Sequence, residues 1–259
     1  MGATAIAASV RMPARPATAS RHASESRAGS LVAIAGLAGG AGTTTLALLL
    51  ARHAALESGE PILLTEASAE RPGLALLAGR TSSAPLTELA RVLAADDVPS
   101  ESFIELAPGL RLIAAGPTNQ VSPDDAALDA LLDQARAAHA LVIVDCGTDR
   151  SVGSALIKRA AHVVWTVPAT PAGVASARLL LESDVLPPPG RAREVLVAIA
   201  REPRPRVRVR ALRRIAQPRC ERLALIPYSS SLAQGEATGD DEGIRRALAG
   251  VASTLRRRR

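Results

Sequence analysis

The sequence predicts an α/β protein with a mostly parallel twisted sheet and helices on both faces, layered as a three-layer sandwich. Three observations carry that prediction. Short apolar runs alternate with stretches of helical period along most of the chain, and buried strands joined by crossover helices make parallel sheets. Aromatic residues are 1% of the chain against 47% hydrophobic residues in all, so the core rests on Ala, Leu, Val and Ile, which suits helices packed on such a sheet. The length of 259 residues lets one α/β domain absorb nearly the whole chain.

Residues 1–29, rich in Ala, Ser and Arg, show no sustained period and are expected to form a disordered leader. They lack the basic-then-apolar order of a secretory signal, and Ile6 stands where a myristoylation pattern needs Ser or Thr. The domain is expected over 30–255, followed by a basic tail at 256–259. Strands are expected at 31–36, 61–66, 110–116, 140–147, 161–168, 194–200 and 222–227. Helices are expected at 44–56, 123–138, 151–160, 172–183, 207–216 and 241–255, from apolar residues recurring at helical spacing. In open sheets of this kind ligands sit at the carboxyl ends of the strands.

Composition narrows the function classes. No apolar run reaches a membrane span, since "LALLLARHAA" is broken by Arg52 and His53. Cys146 and Cys220 have neither metal-ligand spacing nor a disulfide framework, which points to a reducing cytoplasm. His22, His53, His139 and His162 form no metal pattern, and the serines at 229–231 lack a His/Asp constellation. The formal charge is +6 and almost all of the positive charge is arginine, Lys158 being the only lysine. An arginine bias so general is weak evidence for a polyanionic partner.

The stretch "GLAGGAGTTTLALLLARHAA" (36–55) reads as a strand end, a glycine-rich turn and a helix starting near Thr43. Backbone N–H groups of the loop Gly39, Gly40, Ala41, Gly42, Thr43, Thr44 and Thr45, together with the helix dipole, then favour an anion. The glycines permit close approach, and Thr44 is placed to offer a hydroxyl to a phosphate-bound Mg²⁺. The alternative is a tight turn that uses glycine for geometry only.

"AGGAGTTT" (38–45) resembles the deviant Walker A motif, KGGxGKTT, of the MinD/ParA family, the SIMIBI-class P-loop ATPases. "ILLTEASAERPGLALLAG" (62–79) is similar to the family's VLLVDxDxxxPGL segment. "ALVIVDCGTDRSVGSALIKRAAHVVWTVPAT" (140–170) resembles its Walker B stretch and switch loop, and "LIPYSSSLAQGEATG" (225–239) its late VPYDxxLxxAxxxG loop. The resemblance covers most of 31–255 and implies a P-loop NTPase-like fold, a homodimer, and ATP with Mg²⁺ as cofactors, the metal held by Thr44 and Asp145.

The departures point elsewhere. Ala38 stands where the family's signature lysine reaches the partner's nucleotide, and Thr43 where the ordinary Walker lysine meets the β/γ-phosphates. Glu66 and Ser68 occupy the positions of two family aspartates, and Ala200 falls near the asparagine that reads adenine. Phosphoryl transfer rests on positioning and on charge compensation at the phosphates, so hydrolysis is expected to be slow or absent and ATP binding weak or lost. Arg71 or Arg150 could replace the missing charge.

The resemblance therefore implies a positioning or regulatory protein with a degenerate ATPase site, of the kind serving chromosome or plasmid partition or septum or pilus placement, acting with a partner protein. The alternatives are a slow Mg-ATP-dependent ATPase switch that controls dimerisation, and a nucleotide-independent, nonspecific DNA-binding module using the arginine-rich stretch 191–222. At the C-terminus, Ile244, Leu248, Val251 and Leu255 recur at helical spacing. Membrane-attached family members carry a basic amphipathic helix there, but this apolar face is expected to pack on the sheet instead.

Overall fold

The apolar run after residue 30 forms β1 (Ser30–Gly36), the strand around which everything else is arranged. In the computed structural model, which describes residues 28–67, 73–79, 103–113, 125–148, 151–204, 207–235 and 241–256, β1 lies between β5 (Leu141–Asp145) and β6 (His162–Pro168), parallel to both. The sheet continues outward through β2 (Ile62–Glu66) and β4 (Leu110–Ile113) on one side, and through β7 (Arg193–Ile199) and β8 (Arg222–Ile226) on the other. Its eight strands run β3-β4-β2-β5-β1-β6-β7-β8. All neighbours are parallel except β3 (Ile104–Ala107), which pairs antiparallel with β4. That edge hairpin is an addition to the seven expected strands. A four-residue strand interrupted by Glu105 is too short to show a period.

Side chains of each strand alternate between two cores. Leu31, Ala33 and Ala35 face one, with Val142, Val144, Val163, Trp165 and Val167. Val32 and Ile34 face the other, with Ile143 and Val164. The first core is closed by α3 (Asp125–Ala138), α4 (Ser151–Arg159), α5 (Pro171–Leu181) and α6 (Val209–Ala216). The second is closed by α1 (Thr43–Ser58), the short α2 (Gly73–Leu77) and α8 (Glu242–Arg256). Both faces are covered, as the fold class requires. A further short helix, α7 (Ser230–Ala233), and α2 were not legible as periods, since neither is long enough to complete two turns.

α1 is apolar almost all round, and Leu46, Ala47, Leu48, Leu49, Leu50 and Ala51 are all buried. It lies beneath α8, whose Ile244, Leu248, Val251 and Leu255 are 0–4% exposed. Asp241 caps that helix, accepting from the amides of Gly243 at 2.7 Å and Ile244 at 3.2 Å. The apolar face of α8 is thus spent on α1 and β8, as its spacing predicts. No helix among the described residues is long and apolar enough to cross a membrane. Of the expected elements, 114–116 and 123–124 lie outside the described residues, as do 1–27 and 257–259.

The first core holds one charged cluster. The sole tryptophan, Trp165, donates its indole N–H to Glu194 at 2.5 Å. Arg219 forms an ion pair with the same carboxylate and lies 5.4 Å from the ring centroid of Trp165. Glu194 and Arg219 are 3% and 7% exposed, so each charge depends on the other. Breaking a buried pair by removing one partner typically costs about 3–5 kcal/mol, because a charge is left uncompensated. Urea unfolding of Arg219→Leu is therefore expected to show a loss of about that size, with Glu194→Leu/Arg219→Leu recovering much of it.

Candidate functional site

β1 delivers the chain into the glycine loop at the carboxyl end of the sheet, and its neighbours hold the loop there. The Gly36 amide donates to the Gly147 carbonyl at 2.7 Å, and the Leu37 amide to the Thr166 carbonyl at 2.8 Å. Leu37 and Ala41 are 1% and 2% exposed and act as apolar anchors, whereas Gly39 and Gly40 face solvent. Gly42 starts α1 in the left-handed region, φ 82°, and a Cβ there would stand 2.8 Å from Ile199 Cδ1. The left-handed conformation requires glycine at that position, and a side chain there would also displace the end of Ile199.

The three threonines part ways. The Thr43 hydroxyl is turned inward, hydrogen-bonded to that of Thr166 at 2.8 Å beneath the loop. The side chain at the Walker lysine position thus braces β6 against α1. Thr44 is half-buried and its hydroxyl donates to Asp145. Thr45 lines a cleft of about 60 Å³ together with Gly42, Ala200, Arg201 and Tyr228. Ala200 is buried and its amide is bonded to the Ile226 carbonyl at 3.0 Å, so it presents no polar side chain to a base. Ala38 is half-buried. Ser68, Arg71 and Arg150 lie outside the described residues.

Two buried carboxyls face each other across β2 and β5, where Glu66 and Asp145 are register partners. Glu66 accepts from the Leu74 amide at 2.8 Å through Oε2, while its Oε1 is buried without a hydrogen-bond partner. Burial pushes its pKa up to about 8, the nearby Asp145 adding to the rise and the amides of Leu74 and Gly73 opposing it. Burial likewise raises Asp145, against the hydrogen bonds from Thr44 and from Gly147, the latter 2.9 Å long. Thr44 and Asp145, hydrogen-bonded to each other, are the oxygen groups here that could hold a hard cation, while the raised pKa of Glu66 works against its joining them. Sequence reasoning placed Thr44 and Asp145 together. It missed the seating of Glu66 on the start of α2, and it passed over Arg201, which is adjacent to the Ala200 it had singled out.

The raised Glu66 pKa makes stability depend on pH. A carboxyl that holds its proton more tightly when folded contributes fully below its unfolded value of 4.5, and loses that contribution as pH rises toward about 8. Denaturant titrations across this window are expected to show Glu66→Gln gaining on the wild type by up to about 1.4 kcal/mol per pH unit. Parallel pH profiles of the two proteins would exclude a proton on Glu66.

No family model matches the chain, and no curated protein sequence matches it. Solved structures do. A ParA-family ATPase from Chlorobium tepidum is 17% identical with a TM-score of 0.72, covering 88% of this chain and 98% of its own. The septum site-determining protein MinD of Pyrococcus horikoshii, complexed with Mg-ADP, is 15% identical with a TM-score of 0.66 over 88% of this chain and 96% of its own. A MinC:MinD cell division complex from Aquifex aeolicus matches at 18% identity and a TM-score of 0.64, over 87% and 95%. Together with the strand order and the loop at the end of β1, these likenesses establish that the chain has the fold of these ParA- and MinD-type ATPases.

Proposed function

We propose that the protein is a ParA/MinD-like positioning or regulatory factor whose nucleotide site retains the phosphate cradle and has lost its power to hydrolyse. The observation that carries this reading is the lysine-free loop, with Thr43 bonded into the core at the position of the Walker lysine. A charge-assisted hydrogen bond is worth about 1.5–3 kcal/mol, so each missing lysine costs roughly 10- to 150-fold in phosphate affinity. Loop amides and the dipole of α1 remain to attract an anion. Mg²⁺ would be held by Thr44, with Asp145 beside it, and would supply charge compensation at the phosphates. The neutral Glu66 favoured at pH 7 is no base for water activation, and Ala200 leaves the base unread. A homodimer and a protein partner follow from the same reading, since the MinC:MinD likeness is to a protein that works in a complex.

Calorimetric titration with Mg-ATP is expected to show binding near about 1 mM, with phosphate release at the buffer rate. Turnover that disappears in Asp145→Ala would overturn this reading in favour of a slow ATPase switch.

A second reading, nonspecific duplex binding, is favoured by one observation. Arg204, Arg208, Arg210, Arg213 and Arg214 are exposed and have no acidic partner among the described residues. If they grip duplex phosphates, replacing Arg210, Arg213 and Arg214 with alanine lowers the slope of log affinity on log salt by about 0.9 for each phosphate no longer neutralised. An unchanged slope in a filter-binding salt series removes that surface.

A further inference from the structure

We infer that Arg201 supplies the cation which the glycine loop lacks, gripping the polyphosphate of a bound nucleotide from the β7 side. The inference rests on the reading of the loop as a phosphate cradle and assigns the residue that compensates its charge. Arg201 lies two residues beyond the end of β7, at the same end of the sheet as the loop. Its Nη2 stands 3.7 Å from where a Cβ of Gly42 would be. The guanidinium thus lies in van der Waals range of the loop at the residue that starts α1.

Several other arginines among the described residues are held by carboxylates. Arg219 is paired with Glu194, Arg193 with Glu221 at 3.4 Å, and Arg159 with Asp125 and Asp129. Arg201 is exposed, has no acidic partner among the described residues, and is the only arginine among them lining the cleft beside Gly42 and Thr45. A guanidinium offers a planar fork of N–H donors that matches phosphate oxygens in pairs, which an ammonium does not. Reaching the loop from the end of β7, two strands away from β1, it delivers the positive charge without a lysine at position 38 or 43.

The test uses the full-length protein with three probes: ATP, inorganic tripolyphosphate and adenosine, each titrated with Mg²⁺ present. Arg201→Ala is expected to weaken ATP and tripolyphosphate alike by about tenfold or more and to leave adenosine unchanged, with Arg201→Lys recovering part of the loss. Arg204→Ala, an exposed arginine outside the cleft, serves as the control for net charge and is expected to shift affinity by less than about twofold. Wild-type binding of the phosphate probes with no change in Arg201→Ala overturns the inference alone. Equal losses in Arg201→Ala and Arg204→Ala, or a loss for adenosine matching that for ATP, overturn it too, the first as general charge and the second as stacking on the base. Failure of the wild type to bind either phosphate probe removes the cradle reading and the inference with it.

Discussion

The position of β1 between two parallel neighbours is the constraint on which the rest depends. Residues 32–35 of this strand are 0% exposed, and both of its edges are hydrogen-bonded, so its carboxyl end cannot move without breaking the sheet. The loop inherits that rigidity. The amides of Gly36 and Leu37 are bonded to the loop after β5 and to β6, and Thr43 ties the start of α1 to β6. A loop fixed by its own core needs no ligand to keep its shape.

Electrostatics at the site follow the same logic. A buried carboxylate persists when a cation or a set of donors holds its charge. With no lysine in the loop, Glu66 and Asp145 meet across the strands with backbone amides and the Thr44 hydroxyl as donors, and burial drives both toward the neutral form. Neutral carboxyls repel a phosphate less than charged ones do. A loop without lysine and carboxyls whose charge is disfavoured by burial are thus electrostatically compatible.

Legibility in the sequence tracked length and period. β1, α1 and α8 were readable because their apolar residues recur over enough turns or strand positions to define a buried side. β3, α2 and α7 were not, because Glu105 breaks the apolar run of β3 and the two helices are too short to show a period. The loop backbone was readable from Gly39, Gly40 and Gly42, and the pairing of Thr44 with Asp145 from motif order. The inward turn of Thr43 was not, since it depends on Thr166, which lies 123 residues away and becomes a neighbour only through the β1–β6 register. Arg201 was hidden by abundance, one arginine among many in a chain with a single lysine.

That abundance is where sequence and structure differ most in what they can say. Between 191 and 222 the arginines look alike in the sequence, and a basic patch is the natural summary. The fold assigns them separate physical situations. Arg219 is buried on Glu194 beneath Trp165, and Arg193, next to Glu194 at the start of β7, is paired with Glu221. Arg201 borders the loop, while Arg210, Arg213 and Arg214 ride the outer face of α6. Each situation gives the charge a different consequence: holding a core together, meeting an anion at short range, or adding to a field that salt screens within about 10 Å. Net charge sums these and so describes none of them. What decides the chemistry of a given arginine here is which strand end it follows and whether a carboxylate reaches it first.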